Sequence, residues 1–163
     1  MATLVAVNPR VVKNPGEIID TKIILNGQSW NAGQWLFTGT AGFLKACATN
    51  AFTNTGGIKY VAMKTVADPV NNTTTTPVMI INSDTVFEIH ELNGTLSTAN
   101  IGQHYDINVD SNVVTLDADG IGNLCIEVIE IGPSYNDMEN DSADTLARAR
   151  VKVLKTMLDA KPA

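Results

Sequence analysis

The sequence is poor in the residues that build most active sites and cofactor pockets. It has two histidines, two cysteines and nine aromatic side chains among 163 residues. His90 and His104 stand in no His-x-His or His-x-x-x-His arrangement, and Cys47 and Cys125 form no Cys-x-x-Cys pair, so the spacing predicts no metal centre. We expect both cysteines to be small buried core residues and no cofactor to be bound.

Long apolar runs are also absent. The longest such segments, for example residues 77–81, are far shorter than the roughly 18 residues needed to cross a bilayer. The first four residues lack the basic start and following apolar stretch of a secretory signal. We therefore expect no membrane partner, and synthesis and folding in a cytoplasm.

Basic residues are missing from the middle of the chain. Every charged side chain from Asp84 to Asp144 is acidic, and the net charge of the chain is −6. Such a balance argues against binding a phosphate backbone, so we expect no nucleic-acid partner. We favour the interpretation that the acidic stretch solvates strand faces and loops, the alternative being that a basic arm docks on an acidic partner.

Short apolar segments separated by Asn, Asp and Gly dominate what is present, and they recur about every ten residues. With no βαβ rhythm, this pattern predicts an all-β fold, either a closed or nearly closed barrel or a small sandwich. We favour a small β-barrel of the β-tulip kind, because closure removes exposed sheet edges. The clearest predicted strands are residues 22–25, 34–38, 59–66, 78–81, 86–92, 105–109, 113–116 and 124–131.

The first twenty residues differ from the rest. Two Asn-Pro steps, at Asn8 and Asn14, suit an extended chain and not a helix. The sequence therefore predicts an extended N-terminal arm over residues 1–20 and a single β-barrel domain over residues 21–163. Residues 71–76 are expected to belong to an exposed loop, and residues 147–158 fit either a strand or a helix.

Alternation along two predicted strands assigns side chains to faces. In residues 105–110 it places Tyr105, Ile107 and Val109 towards the core and Asp106 towards solvent. The acidic positions of this segment open like an EF-hand loop, but Ser111 stands where the loop needs glycine, so we reject an EF-hand.

The residues best suited to acid–base chemistry do not converge. Alternation puts Glu88 and His90 on one face of their strand and Glu91 on the other. Ser29 lacks the closing glycine of a nucleophile elbow. The sequence thus predicts a protein that is not an enzyme, and a small hydrolase or isomerase is the weakest interpretation.

Two stretches are similar to a known family. They are Asn-Ala-Gly-Gln-Trp-Leu-Phe at residues 31–37 with Gly-Phe-Leu-Lys-Ala at 42–46, and Asn-Ile-Gly-Gln-His-Tyr-Asp at 100–106 with the Thr-Leu-Asp that ends at 117. They resemble the small β-barrel decoration, or cement, proteins of tailed-bacteriophage capsids. The likeness covers roughly residues 21–158 and depends on hydrophobic pattern and turn placement.

The resemblance implies a structural function that involves no catalysis. It implies a homotrimer on the capsid exterior that binds the major capsid protein and stabilises the expanded shell, with assembly in the host cytoplasm. It also implies that residues 149–157 form a strand. Under this hypothesis the arm provides part of the contact, so that deleting residues 1–20 should abolish shell binding and leave the barrel's melting intact. The candidate contact residues are Arg10, Val11, Val12, Lys13, Ile18 and Ile19.

A tail, fibre or baseplate β-module is the alternative function. Such a module shares the strand-rich, Thr- and Asn-rich composition and could bind a glycan. Trp30, Trp35 and Tyr60 would then be its stacking residues. Core or interface packing is the interpretation of these rings that we favour, because Trp35 lies inside an apolar strand.

Overall fold

The computed structural model describes residues 6–47, 57–67, 72–93, 96–119, 124–131 and 148–160. Within these segments the chain forms eleven β-strands and one short α-helix, which confirms the all-β prediction. The elements are β1 (Arg10–Lys13), β2 (Ile19–Ile23), β3 (Trp35–Thr38), β4 (Leu44–Ala46), β5 (Ile58–Ala62), β6 (Thr75–Ile80), β7 (Val86–Asn93), β8 (His104–Asp110), β9 (Val113–Asp117), β10 (Ile126–Ile131), β11 (Arg148–Val153) and α1 (Lys155–Asp159).

Five of the strands close into a barrel. Their order is β7-β11-β10-β8-β9, and β9 pairs back onto β7. The first four pairings are antiparallel, whereas the closing pairing of β7 with β9 is parallel. The closed β-barrel predicted from the sequence is therefore confirmed.

Five further strands form a second sheet of order β2-β6-β5-β3-β4, with antiparallel pairings throughout, while β1 pairs with β7 of the barrel. The two ends of this sheet also approach each other. Ile24 forms a parallel bridge to Leu44, and the Leu25 amide donates a hydrogen bond of 2.9 Å to the Leu44 carbonyl. The edges that would remain open in a flat sheet are thereby partly joined.

Strand β3 of the second sheet is buried on both faces because its alternate residues enter two different cores. Trp35 and Phe37 belong to the main core shared with the barrel, where the Trp35 and Phe87 rings meet edge to face at 4.9 Å. Leu36 points the other way, into a smaller core that contains Trp30. This packing fixes the second sheet against the barrel.

The described part of the arm is extended, as predicted, and lies on the chain's own sheets. β1 pairs antiparallel with β7, and a bulge interrupts the register between Val11 and Lys13. The Asn8 side chain continues this pairing: its amide donates to the Asn112 carbonyl at 3.0 Å, and its oxygen accepts from the Val114 amide at 2.9 Å. The arm is thus attached to the barrel at the start of β9.

The loop expected around residues 71–76 ends earlier than predicted. Thr75 and Thr76 already belong to β6, and Thr76 is buried. The polar composition of this tract led to the prediction of a loop, but threonine is β-branched and fits a strand well once a neighbouring strand is present. Here the partner is β2, which pairs Ile23 with Thr75 and Lys22 with Thr76.

The ambiguous segment 147–158 is partly strand and partly helix. β11 ends at Val153, so the strand implied for residues 149–157 is wrong in its second part, where α1 begins at Lys155. The Leu158 carbonyl accepts a hydrogen bond of 2.6 Å from the Lys59 ammonium, which holds the helix against β5. No helix in the described segments is long and apolar enough to cross a membrane.

Strand β8 departs from its predicted faces at one residue. Tyr105 and Ile107 face the main core as expected, but Asp106 is also buried. The Asp106 carboxylate accepts a 2.7 Å hydrogen bond from the Ile107 amide, and the Cys125 thiol lies 3.5 Å away. The alternation of the strand predicts on which face Asp106 lies, but it cannot predict that Cys125, from another part of the chain, covers Asp106 on that face.

Candidate docking surface

Large exposed hydrophobic side chains are concentrated near the start of the chain. Among the described residues eight are prominent, and five of them lie between residues 7 and 23. A concentration of this kind marks an interaction surface more often than a chance distribution does. The five are Val7, Val12, Ile18, Ile19 and Ile23; the other three are Met63, Ile101 and Leu124.

Strand β2 exposes hydrophobic side chains to the same extent as its charged ones. Ile19 and Ile23 are 48% and 38% exposed, and the side chains of the intervening Asp20 and Lys22 are 42% and 35% exposed. These two charges form an ion pair of 2.8 Å, and the Lys22 ammonium lies 6.0 Å from the centre of the Tyr60 ring. The hydrogen bond from Lys22 lowers the pKa of Asp20.

Strand register shows which residues adjoin the outward face of β2. Directly paired residues of antiparallel strands share a face, and Thr21 is paired with Pro77 of β6. Since β5 pairs Ala62 with Val78, the following residue, Met63, lies opposite Pro77. We name Ile19, Thr21, Ile23, Met63 and Pro77 the β2 strip.

The barrel covers only part of the face to which the β2 strip belongs. Ile19 is paired with Met79, which is buried in the main core. The core therefore ends between β6 and β2, and the side chain of Ile19 lies just beyond it. The β2 strip is an apolar continuation of the core that no described residue covers.

Strand β1 adds exposed positive charge to this half of the molecule. The side chain of Arg10 is 71% exposed and Lys13 is also exposed, whereas Val11 packs against the main core. Val12 lies at the bulge and is 38% exposed. Of the six arm residues proposed from the sequence, five are therefore accessible and Val11 is largely used in the fold.

The sequence interpretation missed four of the five residues of the β2 strip. Thr21, Ile23, Met63 and Pro77 were not among the predicted contact residues. The signal for Ile23 was available, because Ile-Asp-Thr-Lys-Ile at residues 19–23 alternates apolar and charged residues about a central threonine. Met63 and Pro77 could not be found in this way, because their position beside β2 depends on strand register.

The aromatic residues proposed for glycan stacking do not form an exposed platform. Trp30 and Trp35 are 1% and 0% exposed, and the Trp30 indole donates to the Lys64 carbonyl at 3.1 Å. Tyr60 is half-buried beneath the Lys22 ammonium. Neither tryptophan offers a free ring face to a sugar.

The described residues contain no cluster suited to binding a metal ion. No three His, Cys, Asp or Glu side chains cluster as metal ligands within the described segments. Cys47 and Cys125 are both buried, as predicted, and burial raises the pKa of each thiol. A thiol held in its protonated form is a poor nucleophile.

One open depression of about 370 Å³ lies beside α1. It contains an imidazole and an ammonium group but no carboxylate among its lining residues. It therefore presents no acid–base pair, and we do not regard it as a catalytic site. The lining residues are His104, Leu124, Leu154, Lys155 and Thr156.

Comparison with known proteins does not assign the chain to a family. No protein-family model matches the sequence, and a search of curated proteins finds no match. The functional argument therefore depends on the β2 strip and on the sequence resemblance described above.

Proposed function

We propose that this protein is a non-enzymatic capsid decoration protein that binds the exterior of a tailed-phage shell as a homotrimer and stabilises the expanded capsid. Its partner is the major capsid protein, and its place is on the outside of the virion. The observation that carries the proposal is the exposure of Ile19 and Ile23 on β2, at 48% and 38%, on a face that continues the main core.

The β2 strip is suited to a non-covalent contact across a subunit junction. Burial of an isoleucine side chain contributes about 1.5–3 kcal/mol. A standard interface buries about 1,600 Å², which is more than this strip supplies, so the accessible arm residues must add to it. Three copies in one trimer would bind the shell together, and avidity would convert a modest contact into stable attachment.

Stabilisation of the shell follows from selective binding. A protein that binds the expanded shell and not its precursor shifts the equilibrium towards the expanded form by mass action. No chemical step is needed, in agreement with the dispersed acid–base groups of the described segments. The tail, fibre or baseplate module remains the alternative function, and buried Trp30 and Trp35 give no support to its glycan-binding form.

Binding to purified expanded shells that lack the protein tests the proposal. We expect the double variant Ile19→Asp, Ile23→Asp to lose at least about 100-fold in affinity, because two apolar contacts are replaced by desolvated charges. Ile101→Asp is the matched control, since Ile101 is 45% exposed outside the β2 strip. Equal affinities for the two variants would contradict the proposal.

The copy number in purified particles distinguishes the two functions. Quantitative peptide mass spectrometry against the most abundant shell protein should give a ratio near one for a lattice component. A few copies per particle would instead support the tail, fibre or baseplate module.

A further inference from the structure

Glu91 occupies a core position on β7. The side chains of Phe87 and Ile89 enter the main core, and alternation places Glu91 on the same side of the strand. Glu91 is only 3% exposed, and its neighbour Leu96 is also part of the main core. A carboxyl group thus stands where the strand pattern calls for a hydrophobic side chain.

The Glu91 carboxyl is poorly satisfied. Its Oε2 accepts one hydrogen bond of 3.3 Å from the Leu96 amide, and its Oε1 has no hydrogen-bond partner among the residues that the structure describes. Buried polar atoms are almost always paired, so an orphaned carboxylate oxygen is unusual. Burial and the nearby charge of Asp119 raise the pKa of Glu91 to about 7, although the Leu96 amide acts in the opposite direction.

Among the described residues, the charged groups around Glu91 offer it no cation. Its own neighbours on β7, Glu88 and His90, point to the other face, and Arg148 of β11 is paired with His90 on that outer face. On the other side, Asp119 in the turn after β9 is the charge that acts on Glu91. Asp106 of β8 and Asp117 of β9 are paired with each other on the face opposite to Leu116, the residue paired with Glu91.

Glu91 also lies at one of the two shortest pairings of the barrel, the other being the pairing of β8 with β10. The parallel pairing of β7 with β9 has two register pairs, Glu91 with Leu116 and Asn93 with Asp117, and the register shifts between them. The antiparallel pairing of β8 with β9 has five. Since β7 and β9 close the barrel, their separation would open it along this seam.

We propose that the protonation state of Glu91 controls closure of the barrel seam between β7 and β9. The neutral carboxyl is compatible with its apolar surroundings, and the seam stays closed. The carboxylate can regain hydration only by moving towards solvent, which separates β7 from β9. The proposal concerns the fold alone and does not depend on the proposed function.

The direction of the pH dependence follows from the folded and unfolded states. In the unfolded chain a glutamate has a pKa of about 4.3. The folded protein therefore holds a proton on Glu91 that the unfolded chain has lost, and its stability falls as pH rises between these two values. Opening of the seam becomes more frequent as the pH passes through about 7.

Amide hydrogen exchange at pH 6 and pH 8, corrected for the intrinsic rate, tests the proposal. At pH 8 the carboxylate outnumbers the carboxyl by about tenfold, so we expect protection of residues 113–117 to fall relative to that of β5 by a similar factor. In the Glu91→Gln variant this fall should be absent. The control Glu127→Gln, at a half-buried position on β10, should behave as the wild type.

Two results would overturn the proposal. One is the same fall in protection in Glu91→Gln as in the wild type. The other is a fall of equal size in β5, which would indicate global unfolding instead of seam opening. If Glu91→Gln does not fold, Glu91→Leu provides the second variant, since it places at this core position the hydrophobic side chain that the strand pattern calls for.

Discussion

Glu88 is buried on the outer face of β7 and is held by two arginines from distant parts of the chain. Arg148 contacts one carboxylate oxygen at 2.8 Å, and Arg10 contacts the other at 3.2 Å. Burial by itself raises the pKa of Glu88, but the hydrogen bond from Arg148 and the charges of both arginines outweigh it and lower the pKa. This stabilisation is complete above the unfolded pKa of about 4.3 and is lost as pH falls through the folded value.

Removing the closer arginine should be costly. We expect Arg148→Gln to lower the free energy of unfolding by roughly 1–3 kcal/mol, because it leaves a buried carboxylate with one partner fewer. Arg150→Gln is the matched control on the same strand: Arg150 and Glu130 are about one-third exposed, and such pairs contribute about 0–1 kcal/mol. Urea unfolding of both variants measures the difference, and a larger loss for Arg150→Gln would contradict the assignment.

The sequence predicts on which face of a strand a side chain lies better than it predicts which other side chains that residue contacts. Alternation correctly separated Glu88 and His90 from Glu91 on β7. It could not show that Glu88 meets Arg10 and Arg148, which lie 78 and 60 residues away in the chain. It also could not show that Glu91 is buried without a cation, because burial depth depends on long-range packing.

At the scale of elements, strands with regular alternation and clear turns were predicted closely. β7, β8 and β9 begin and end within about one residue of the predicted bounds, a precision that boundary predictions rarely reach. The strand predicted at residues 22–25 begins earlier, as β2 at Ile19, and α1 lies in a segment that the residue pattern left open between strand and helix. The position of α1 depends on contacts with distant residues. Gly57 is an example: its φ is +71°, and a Cβ there would overlap the Met157 carbonyl, so α1 packs here only against glycine.

The arm is a structural element of the barrel as well as a candidate contact. We expect deletion of residues 1–13 to lower the free energy of unfolding by on the order of 2–4 kcal/mol, because it removes β1, both Asn8 hydrogen bonds and the Arg10 ion pair with Glu88. This differs from the prediction made from the sequence, in which the barrel melts unchanged without residues 1–20.

A shorter deletion supplies the control for the arm. Removal of residues 1–6 leaves Asn8 and β1 in place, so urea unfolding should differ little from that of the full chain. If both deletions unfold like the full chain, β1 does not stabilise the barrel. The point variant Asn8→Ala should give an intermediate loss, since it removes only the two side-chain hydrogen bonds.

At the scale of the whole molecule, basic side chains and exposed hydrophobic side chains are concentrated in the same part of the chain. Residues 1–83 carry six basic and three acidic side chains, while residues 84–144 carry thirteen acidic and no basic ones. The first group includes the arm and the whole second sheet, and the second group includes four of the five barrel strands. The part of the chain that contains the β2 strip is therefore also its more basic part.

This distribution predicts different roles for charge and for apolar contact in docking. Charges at the rim of an interface mainly change the association rate, whereas apolar contacts mainly change the dissociation rate. If the arm meets an acidic surface, Lys13→Glu should slow association with expanded shells, and the effect should shrink as salt is added because exposed charges are screened. Ile19→Ser should instead speed dissociation at every salt concentration.

Lys155→Glu gives the matched control for the charge reversal, because Lys155 is 79% exposed on α1 and makes only a local ion pair with Asp159. It changes the net charge by the same amount as Lys13→Glu, so a general effect of net charge would slow association equally in both. Surface plasmon resonance on immobilised shells separates the two rates. A slower association confined to Lys13→Glu would support direct contact of the arm with an acidic partner, and equal slowing in both would contradict it.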